Sequence, residues 1–181
     1  LNFTTWDYYL WFLPLVFILV FTLGNKRRNV QLTSILFMSY LFFIFASGWH
    51  VILLFTSTII DWLVSQKIYA EKDKKKSKNW LYLSLFTNFG LLAIFKYLDF
   101  IINSLNLLSL KFWWAPNMDP YGIILPVGIS FYTFQTVSYS IDIYREKYEP
   151  YKSFLDFATY ASFFPQLVAG PIVRADDFKK Q

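Results

Sequence analysis

The sequence predicts an all-α protein that crosses a membrane several times, and this prediction depends on composition and on the distribution of charge. Of the 181 residues, 56% are hydrophobic and 23% aromatic, whereas 16% are charged, compared with about 25% in a typical soluble domain. A helix needs roughly 17–25 mostly apolar residues to cross a bilayer core. Four uncharged stretches have this length, namely Tyr8–Asn25, Asn29–Trp49, Asn79–Phe95 and Pro120–Ile141.

The remaining composition narrows the classes of function. The chain has no cysteine, which excludes disulfides and thiolate metal sites. His50 is the only histidine, so no histidine cluster can bind a metal, and its place beside Trp49 in a short turn indicates a structural role at the interface. The net charge of +5 is concentrated in hydrophilic breaks between apolar runs. Such basic breaks are ordinary signals of membrane topology and do not indicate a nucleic-acid partner.

Five spans are predicted in chain order. Tryptophan and tyrosine side chains gather at the start of the first, as they do at a headgroup boundary. The short turn Ala46–His50 separates the second from the third, and Lys96–Asp99 closes the fourth. The first run lacks a basic segment before it and a cleavage site after it, so it is read as a span and not as a signal peptide. The predicted spans are about Tyr8–Leu23, Val30–Phe45, Val51–Val64, Trp80–Phe95 and Ile123–Tyr144.

Two further segments do not fit a simple span. Phe100–Leu110 is too short and too polar to cross a bilayer, and we expect an interfacial or tilted helix there. The following stretch, Lys111–Tyr121, contains two tryptophans and two prolines, which favours an ordered loop at the interface. No internal repeat or linker is visible, so residues 1–181 are expected to form a single membrane domain.

The positions of lysine and arginine predict the orientation. If each span crosses once, the basic segments Asn25–Asn29, Ser65–Asn79 and Arg145–Lys152 all lie on one side. The start Leu1–Asp7 and the turn Ala46–His50 lie on the other side and carry no lysine or arginine. The positive-inside rule therefore predicts an N-terminus outside the cell membrane.

The segment Phe163–Arg174 is too apolar for a surface loop, yet it contains Pro165 and the pair Gly170-Pro171. Non-helical backbone persists at membrane depth only where protein buries it or where it lines a hydrated cavity. We expect a re-entrant, broken helix with Gln166 and freed backbone groups facing inward. The alternative is an ordinary span with a kink.

Polar residues follow one face of the fifth span. Gln135, Tyr139 and Asp142 are spaced i, i+4 and i+7, so they share a helix face. Asp142 and Arg145, three residues apart, are expected to form a charge pair. A polar face in a membrane helix must meet protein or water, and hydrogen bonding that merely holds a bundle together is the alternative to a lined cavity.

Four sequence motifs carry a resemblance to a known family. They are IDWL (Ile60–Leu63), FKYLDF (Phe95–Phe100), LPVGISFYTFQTVSYSIDIYR (Leu125–Arg145) and FLDFATYASFFPQLVAGPIVR (Phe154–Arg174). In order and spacing they resemble the membrane-bound O-acyltransferase family. The closest branch is the bacterial one of alginate O-acetylation (AlgI-like) and D-alanine export (DltB-like) proteins.

The resemblance implies a larger ring of helices around a tunnel that contains an essential histidine. His50 lies outside the matching motifs, so that histidine is expected beyond Gln181, and this chain is expected to be an N-terminal portion that supplies part of the tunnel wall. The residues implied to line the tunnel are Ser130, Gln135, Ser138, Tyr139, Asp142, Arg145, Gln166 and Arg174.

The function implied by the resemblance is transfer of an acyl group, by implication acetyl, toward a hydroxyl on an exported polysaccharide. The donor would be a cytoplasmic thioester, acetyl-CoA or an acyl carrier protein, and no covalent cofactor is implied. The lipid bilayer and an extracytoplasmic acyltransferase are the implied partners, and the bacterial inner membrane the implied location. Polar faces and broken helices also occur in transporters and channels, and a non-catalytic membrane scaffold is a third class.

Overall fold

The computed structural model describes residues 6–24, 27–112, 119–171 and 173–179. Within these ranges all regular structure is helical, which confirms the all-α prediction. A π-helical turn, Tyr8–Phe12, leads into the first helix, and a 3₁₀ turn, Gly48–His50, separates the second from the third. The α-helices are α1 (Leu13–Gly24), α2 (Arg28–Ser47), α3 (Val51–Ala70), α4 (Lys74–Phe112), α5 (Ile129–Tyr144), α6 (Phe154–Ser162), α7 (Phe164–Ala169) and α8 (Ala175–Lys179).

The outer surface of the bundle is unusually apolar, and some strongly polar side chains lie inside it. Large apolar side chains such as Phe21, Phe86 and Leu107 are exposed, while Asp61 and Gln135 are buried. Soluble proteins almost never bury an acidic side chain fully unless it is paired. Two helical stretches of the described chain, Arg28–Ala70 and Lys74–Leu108, are also long and apolar enough to cross a membrane. The fold is therefore that of a membrane protein.

The turn between α2 and α3 depends on one glycine. Gly48 has φ +60 and ends α2, a backbone conformation that is costly for residues with a Cβ atom. The two helices on either side have 20 residues each, about 30 Å of helix and hence one bilayer core each. Helices α1, with 12 residues, and α5, with 16, are shorter than the 20 residues of α2 and α3.

Helix α4 corrects one prediction. Its 39 residues run without a break through Phe100–Leu110, so this stretch is not a separate interfacial helix. The stretch contains no proline or glycine, and the charged residues Lys96 and Asp99 are compatible with a helix interior. At 1.5 Å per residue the helix is about 58 Å long, well beyond a bilayer core. The charges at Lys96–Asp99 therefore do not mark the end of the helix. The interfacial loop expected after it falls mostly on residues 113–118, outside the described residues.

The polar segments meet at one end of the bundle, called here the basic end. Arg28 on α2 forms an ion pair of 2.7 Å with Asp156 on α6, and Lys74 on α4 pairs with Glu146 after α5. The hydrophilic connection between α3 and α4 is only residues 71–73, because α4 already begins at Lys74. Asp73 caps that helix by accepting a hydrogen bond of 2.8 Å from the backbone N–H of Lys75.

At the opposite end, the chain before α5 packs against the α2–α3 turn and α4. The backbone N–H groups of Tyr121 and Ile123 donate to the carboxylate of Asp99 at 2.9 and 2.8 Å. The N–H of Val127 donates to the Ser47 hydroxyl at 2.9 Å. These bonds satisfy backbone groups of an extended segment that would otherwise lack partners.

Helix α5 lies at the centre of the bundle and contacts α3, α4, α6 and α7. Most of its residues are buried, on more than one face. Ile129 is 2% exposed and belongs to an apolar cluster that includes Phe43 on α2, Leu54 on α3 and Leu167 on α7, so it does not face lipid. Phe131 and Phe134 are the exposed apolar residues of α5 instead.

Candidate functional site

The break between α6 and α7 creates the backbone groups around which the candidate site is built. The helix stops at Phe163, which has ψ 101, and Pro165 stands at the start of α7. A continuous helix would join the N–H of Phe164 to the carbonyl of Tyr160. Pro165 has no N–H to give to the carbonyl of Ala161. The break therefore leaves backbone groups inside the bundle in need of other partners.

Side chains from two other helices supply these partners. The Gln135 amide on α5 donates from Nε2 to the Tyr160 carbonyl at 2.8 Å. The N–H of Phe164 donates to the Ser39 hydroxyl on α2 at 3.4 Å. Gln166 on α7 donates from Nε2 to Gln135 Oε1 at 3.2 Å. The result is a chain of hydrogen bonds from Gln166 through Gln135 to the Tyr160 carbonyl, called here the helix-break junction.

A glycine at the start of α5 lets α7 come close to the junction. Gly128 has φ +75, and a Cβ atom placed there would lie 3.4 Å from the carbonyl oxygen of Leu167 and 3.7 Å from a ring carbon of Phe43. These distances are ordinary van der Waals contacts, so a residue with a side chain is disfavoured here by the backbone strain of the positive φ. The broken segment and the polar face of α5 are thus in direct contact.

Tyr139, the second residue of the predicted stripe, is fully buried among aromatic rings. Its hydroxyl accepts a hydrogen bond of 2.8 Å from the backbone N–H of Tyr151. The Tyr151 carbonyl accepts from Trp62 and Gln66 on α3 at 3.1 and 2.8 Å. Burial raises the pKa of the Tyr151 phenol, so it stays neutral and donates to the Ala175 carbonyl at 3.0 Å. Tyr139 thus holds the loop after α5 in place.

Asp142 pairs with Lys147, at 2.7 Å, and not with Arg145 as the helical spacing suggested. Helix α5 ends at Tyr144, and Glu146 adopts a left-handed conformation with φ 58. The chain reverses there: the N–H of Glu146 donates to the Ile143 carbonyl and that of Lys147 to the Asp142 carbonyl. This Schellman-type end carries Lys147 back over Asp142 and leaves Arg145 exposed.

The other predicted residues do not join the junction through side-chain hydrogen bonds. Ser138 donates to the Gln135 carbonyl of its own helix at 2.8 Å. Ser130 is half-buried in the first turn of α5. Arg174 is exposed, and its carbonyl accepts the N–H groups of Asp177 and Phe178 at the start of α8. Of the eight residues, the structure brings Gln135 and Gln166 into direct contact.

The other side of α5 carries a buried polar cluster that was not predicted. Asp61 on α3 is 0% exposed, and its Oδ1 accepts from Ser84 Oγ at 2.9 Å and from Asn88 Nδ2 at 2.7 Å, both on α4. From α5, Thr136 donates to Asn88 Oδ1 and Ser140 lies 3.2 Å from Ser84 Oγ. The i, i+4 pair Ser84 and Asn88 in an uncharged stretch was the signal for this "carboxyl cluster".

Cavities lie at both ends of the bundle. One of about 400 Å³ at the basic end is lined by residues that include Arg28, Tyr151, Asp156 and Lys179. Another, about 450 Å³ and mostly apolar, is bordered by His50, whose Nδ1 lies 2.8 Å from the Ser47 carbonyl. The described residues contain no group of acidic or histidine side chains placed to hold a metal ion.

The chain is similar to named proteins along most of its length. It is 35% identical over 174 residues to a protein named probable alginate O-acetylase AlgI of Pseudomonas aeruginosa, covering 94% of this chain and 32% of that protein. The chain is homologous to AlgI-type O-acetylases. It is also 33% identical to the protein of the same name of Azotobacter vinelandii, over 94% of this chain and 34% of that protein.

The AlgI-type similarity extends to a second named activity. A protein named peptidoglycan O-acetyltransferase of Helicobacter pylori is 30% identical over 196 residues, covering 94% of this chain and 36% of that protein. The chain therefore spans about a third of the length of the curated relatives it matches. No family model and no solved structure matches it. The resemblance to the AlgI-like branch that the four motifs indicated is confirmed.

Proposed function

We propose that the full-length protein is a membrane-bound O-acetyltransferase and that this chain forms part of its tunnel wall. The observation that carries the proposal is the similarity, over 94% of the chain, to relatives named alginate O-acetylase and peptidoglycan O-acetyltransferase. The acetyl group would come from a thioester donor, acetyl-CoA or an acyl carrier protein. In the reaction the C–S bond of the thioester breaks, a C–O bond forms to a hydroxyl of an exported polysaccharide, and the hydroxyl proton passes to the departing thiol.

The helix-break junction is the part of the wall that we assign to the path. Gln135 and Gln166 carry polar groups into a bundle whose outer surface is apolar. Broken helices inside membrane proteins occur where the freed backbone is buried in protein or lines a hydrated cavity. Tyr139 and Asp142 hold the loop after α5, and in this way they would support the same wall without lining the path. The broken α6–α7 segment would then be re-entrant from the basic end.

We propose that the basic end faces the cytoplasm, that the N-terminus lies outside and that the chain crosses the inner membrane five times. Arg28, Asp156 and Lys179 border the cavity at the basic end, and the net positive charge of this set would attract an anionic thioester donor. The two ion pairs there, Arg28–Asp156 and Lys74–Glu146, lie in or beside segments that the positive-inside rule assigns to the cytoplasm. We assign no catalytic role to His50, which stacks on Trp49 at the opposite end.

Acetyl transfer tests the proposed activity directly. Membranes that contain the full-length protein should transfer radiolabel from acetyl-CoA or an acetylated carrier protein to alginate or peptidoglycan, whereas membranes without it should not. His50→Ala should keep this activity. Absence of transfer from either donor to either acceptor would overturn the proposal, and loss of transfer in His50→Ala would overturn the assignment of His50.

The orientation is tested by cysteine labelling of the 181-residue chain, in which no native cysteine occurs. Single cysteines at Lys75, near the start of α4, and at Trp49, which is 65% exposed at the other end, should react with an impermeant thiol reagent from opposite sides. Ser77 is a poor probe because it is buried and its hydroxyl donates to the Ile68 carbonyl. Labelling of both positions from the same side would contradict the topology.

A further inference from the structure

The carboxyl group of Asp61 is the least expected group in the bundle. It is 0% exposed in the middle of a helix long enough to span a membrane. Among the described residues, the ion pairs join other side chains, and no lysine, arginine or histidine pairs with Asp61. An ionised carboxylate buried without a cation costs several kcal/mol or more, and such groups usually become neutral instead.

The hydrogen bonds of the two carboxyl oxygens are unequal. Oδ1 accepts from both Ser84 Oγ and Asn88 Nδ2, whereas Oδ2 is buried and has no hydrogen-bond partner in the described part of the chain. A carboxylate ion shares its charge between two equivalent acceptor oxygens. A carboxylic acid has one carbonyl oxygen, which accepts, and one hydroxyl, which donates. Because both donors are on Oδ1 and no donor lies on Oδ2, the contacts of Asp61 leave Oδ2 free to carry a proton.

The groups that face this part of α3 from the neighbouring helices are neutral. Ser84 and Asn88 face it from α4, and Thr136 and Ser140 contact these two from α5. Two phenols also lie against α3, Tyr40 on α2 beside Thr58 and Tyr139 on α5 beside Ser65, and phenols are neutral at physiological pH. On α6 the carboxyl group of Asp156 already pairs with Arg28 at the basic end.

We propose that Asp61 is a proton-binding site inside the bundle, with the proton on Oδ2 and with Oδ1 holding α3 to α4 through Ser84 and Asn88. The site keeps the contact between α3, α4 and α5 uncharged at neutral pH. It also provides a buried O–H donor at the centre of the membrane domain. The proposal depends on the contacts of Asp61 alone and is independent of the proposed acetyl transfer.

A pair of variants distinguishes the acid from the ion. Asp61→Asn keeps the carbonyl acceptor and replaces the hydroxyl donor by an N–H donor, so the midpoint of thermal unfolding in detergent should change by less than about 2 °C. Asp61→Leu has similar size but leaves the Ser84 and Asn88 donors unpaired, and it should lower the midpoint by about 5 °C or more. If Asp61→Asn destabilises as much as Asp61→Leu, the proposal is wrong.

Infrared spectroscopy detects the protonated carboxyl group directly. The decisive measurement is made on the unsubstituted chain, so it does not depend on the folding of a variant. At neutral pH the full chain should show the carbonyl stretch of a protonated carboxylic acid, and this band should be missing from Asp61→Asn. A spectrum at neutral pH without the band would overturn the proposal. So would a thermal midpoint that falls when Na⁺ is replaced by choline, because a bound metal cation would then neutralise an ionised Asp61.

Discussion

Helix α5 carries two buried polar clusters, and they have different physical origins. At the helix-break junction, the Gln135 side chain satisfies a backbone carbonyl that exists only because α6 stops at Phe163. In the carboxyl cluster, the backbone of α3 and α4 is continuously helical, and side chains satisfy one another around Asp61. The first cluster compensates for a defect in the backbone, and the second joins intact helices.

This difference determines how each cluster responds to substitution. Removing a side chain from the junction leaves a main-chain group buried without a hydrogen-bond partner. A main-chain group cannot turn away by changing rotamer, so its loss is not relieved. Removing one of the two donors of the carboxyl cluster, Ser84 or Asn88, leaves the other donor on Asp61 Oδ1. The junction should therefore be more sensitive, and the following experiments are ordered by the size of their expected effects.

Gln135→Leu should have the largest effect. It leaves the Tyr160 carbonyl and the Gln166 amide buried without Gln135, and each buried unpaired group costs about 1–3 kcal/mol, so we expect the free energy of unfolding to fall by about 2–4 kcal/mol. Acetyl transfer by the full-length protein should fall at least about 10-fold, because the wall itself changes.

Phe131→Leu, on the exposed side of the same helix, is the matched control and should change stability by about 0.5 kcal/mol or less. Full activity in Gln135→Leu would mean that the junction is a structural support and not part of the path.

Asn88→Leu should have a smaller effect on stability and almost none on transfer. It removes one of the two donors to Asp61 Oδ1 and leaves Ser84 in place, so we expect a loss of about 1–2 kcal/mol in chemical unfolding. Acetyl transfer should stay within about twofold of wild type, since this cluster holds helices together. A larger loss of transfer than in Gln135→Leu would reverse the functional ranking of the two clusters.

Gly128→Ala tests whether the junction needs its close backbone contact. Because Gly128 has φ +75, the added Cβ atom should cost about 1–2 kcal/mol of stability through backbone strain. Gly90 lies inside α4, and a Cβ atom there would meet nothing within 4 Å. Gly90→Ala should therefore stabilise the protein by about 0.4–1 kcal/mol. Opposite signs in thermal unfolding are the expected result, and equal signs would contradict it.

The smallest effect concerns the ion pair at the end of α5. A double-mutant cycle between Asp142 and Lys147 should give a coupling of about 0.5 kcal/mol, because the lysine is partly exposed. The same cycle with Arg145, which is exposed on the turn, should give no coupling. Coupling to Arg145 in place of Lys147 would show that the helix end differs from the one described.

The polar stripe and the break were predictable because each violates a rule of membrane solvation. Gln135 in an apolar helix and Pro165 in an apolar run both require partners that lipid cannot provide. Their direct contact could be expected only from the short connection between them. The carboxyl cluster was harder to foresee, since Ser84 and Asn88 look like ordinary polar residues until α3 brings Asp61 against them.

Charge patterns were informative about environment and less so about helix ends. Lys96 and Asp99 were read as the end of a span, yet α4 continues to Phe112, because charge affects membrane depth while helix termination depends on backbone groups, glycine and proline. In the same way, the prediction that Asp142 pairs with Arg145 assumed that the helix continues through Arg145, but α5 ends at Tyr144. The left-handed turn at Glu146 gave Asp142 a different partner.

By itself, the sequence determined that this chain is a helical membrane protein of AlgI-like character with a polar face on its fifth predicted span and a break near its end. The helical membrane character, the polar face and the break follow from composition, helical periodicity and the fixed geometry of proline, which are properties of residues and of short segments. The AlgI-like character depends instead on the resemblance of the four motifs. The tertiary structure alone decided which polar groups meet: Gln135 with the Tyr160 carbonyl, Asp61 with Asn88, and Asp142 with Lys147. Hydrogen bonds and ion pairs act over about 3 Å, so their partners depend on how whole helices pack, which no local pattern specifies.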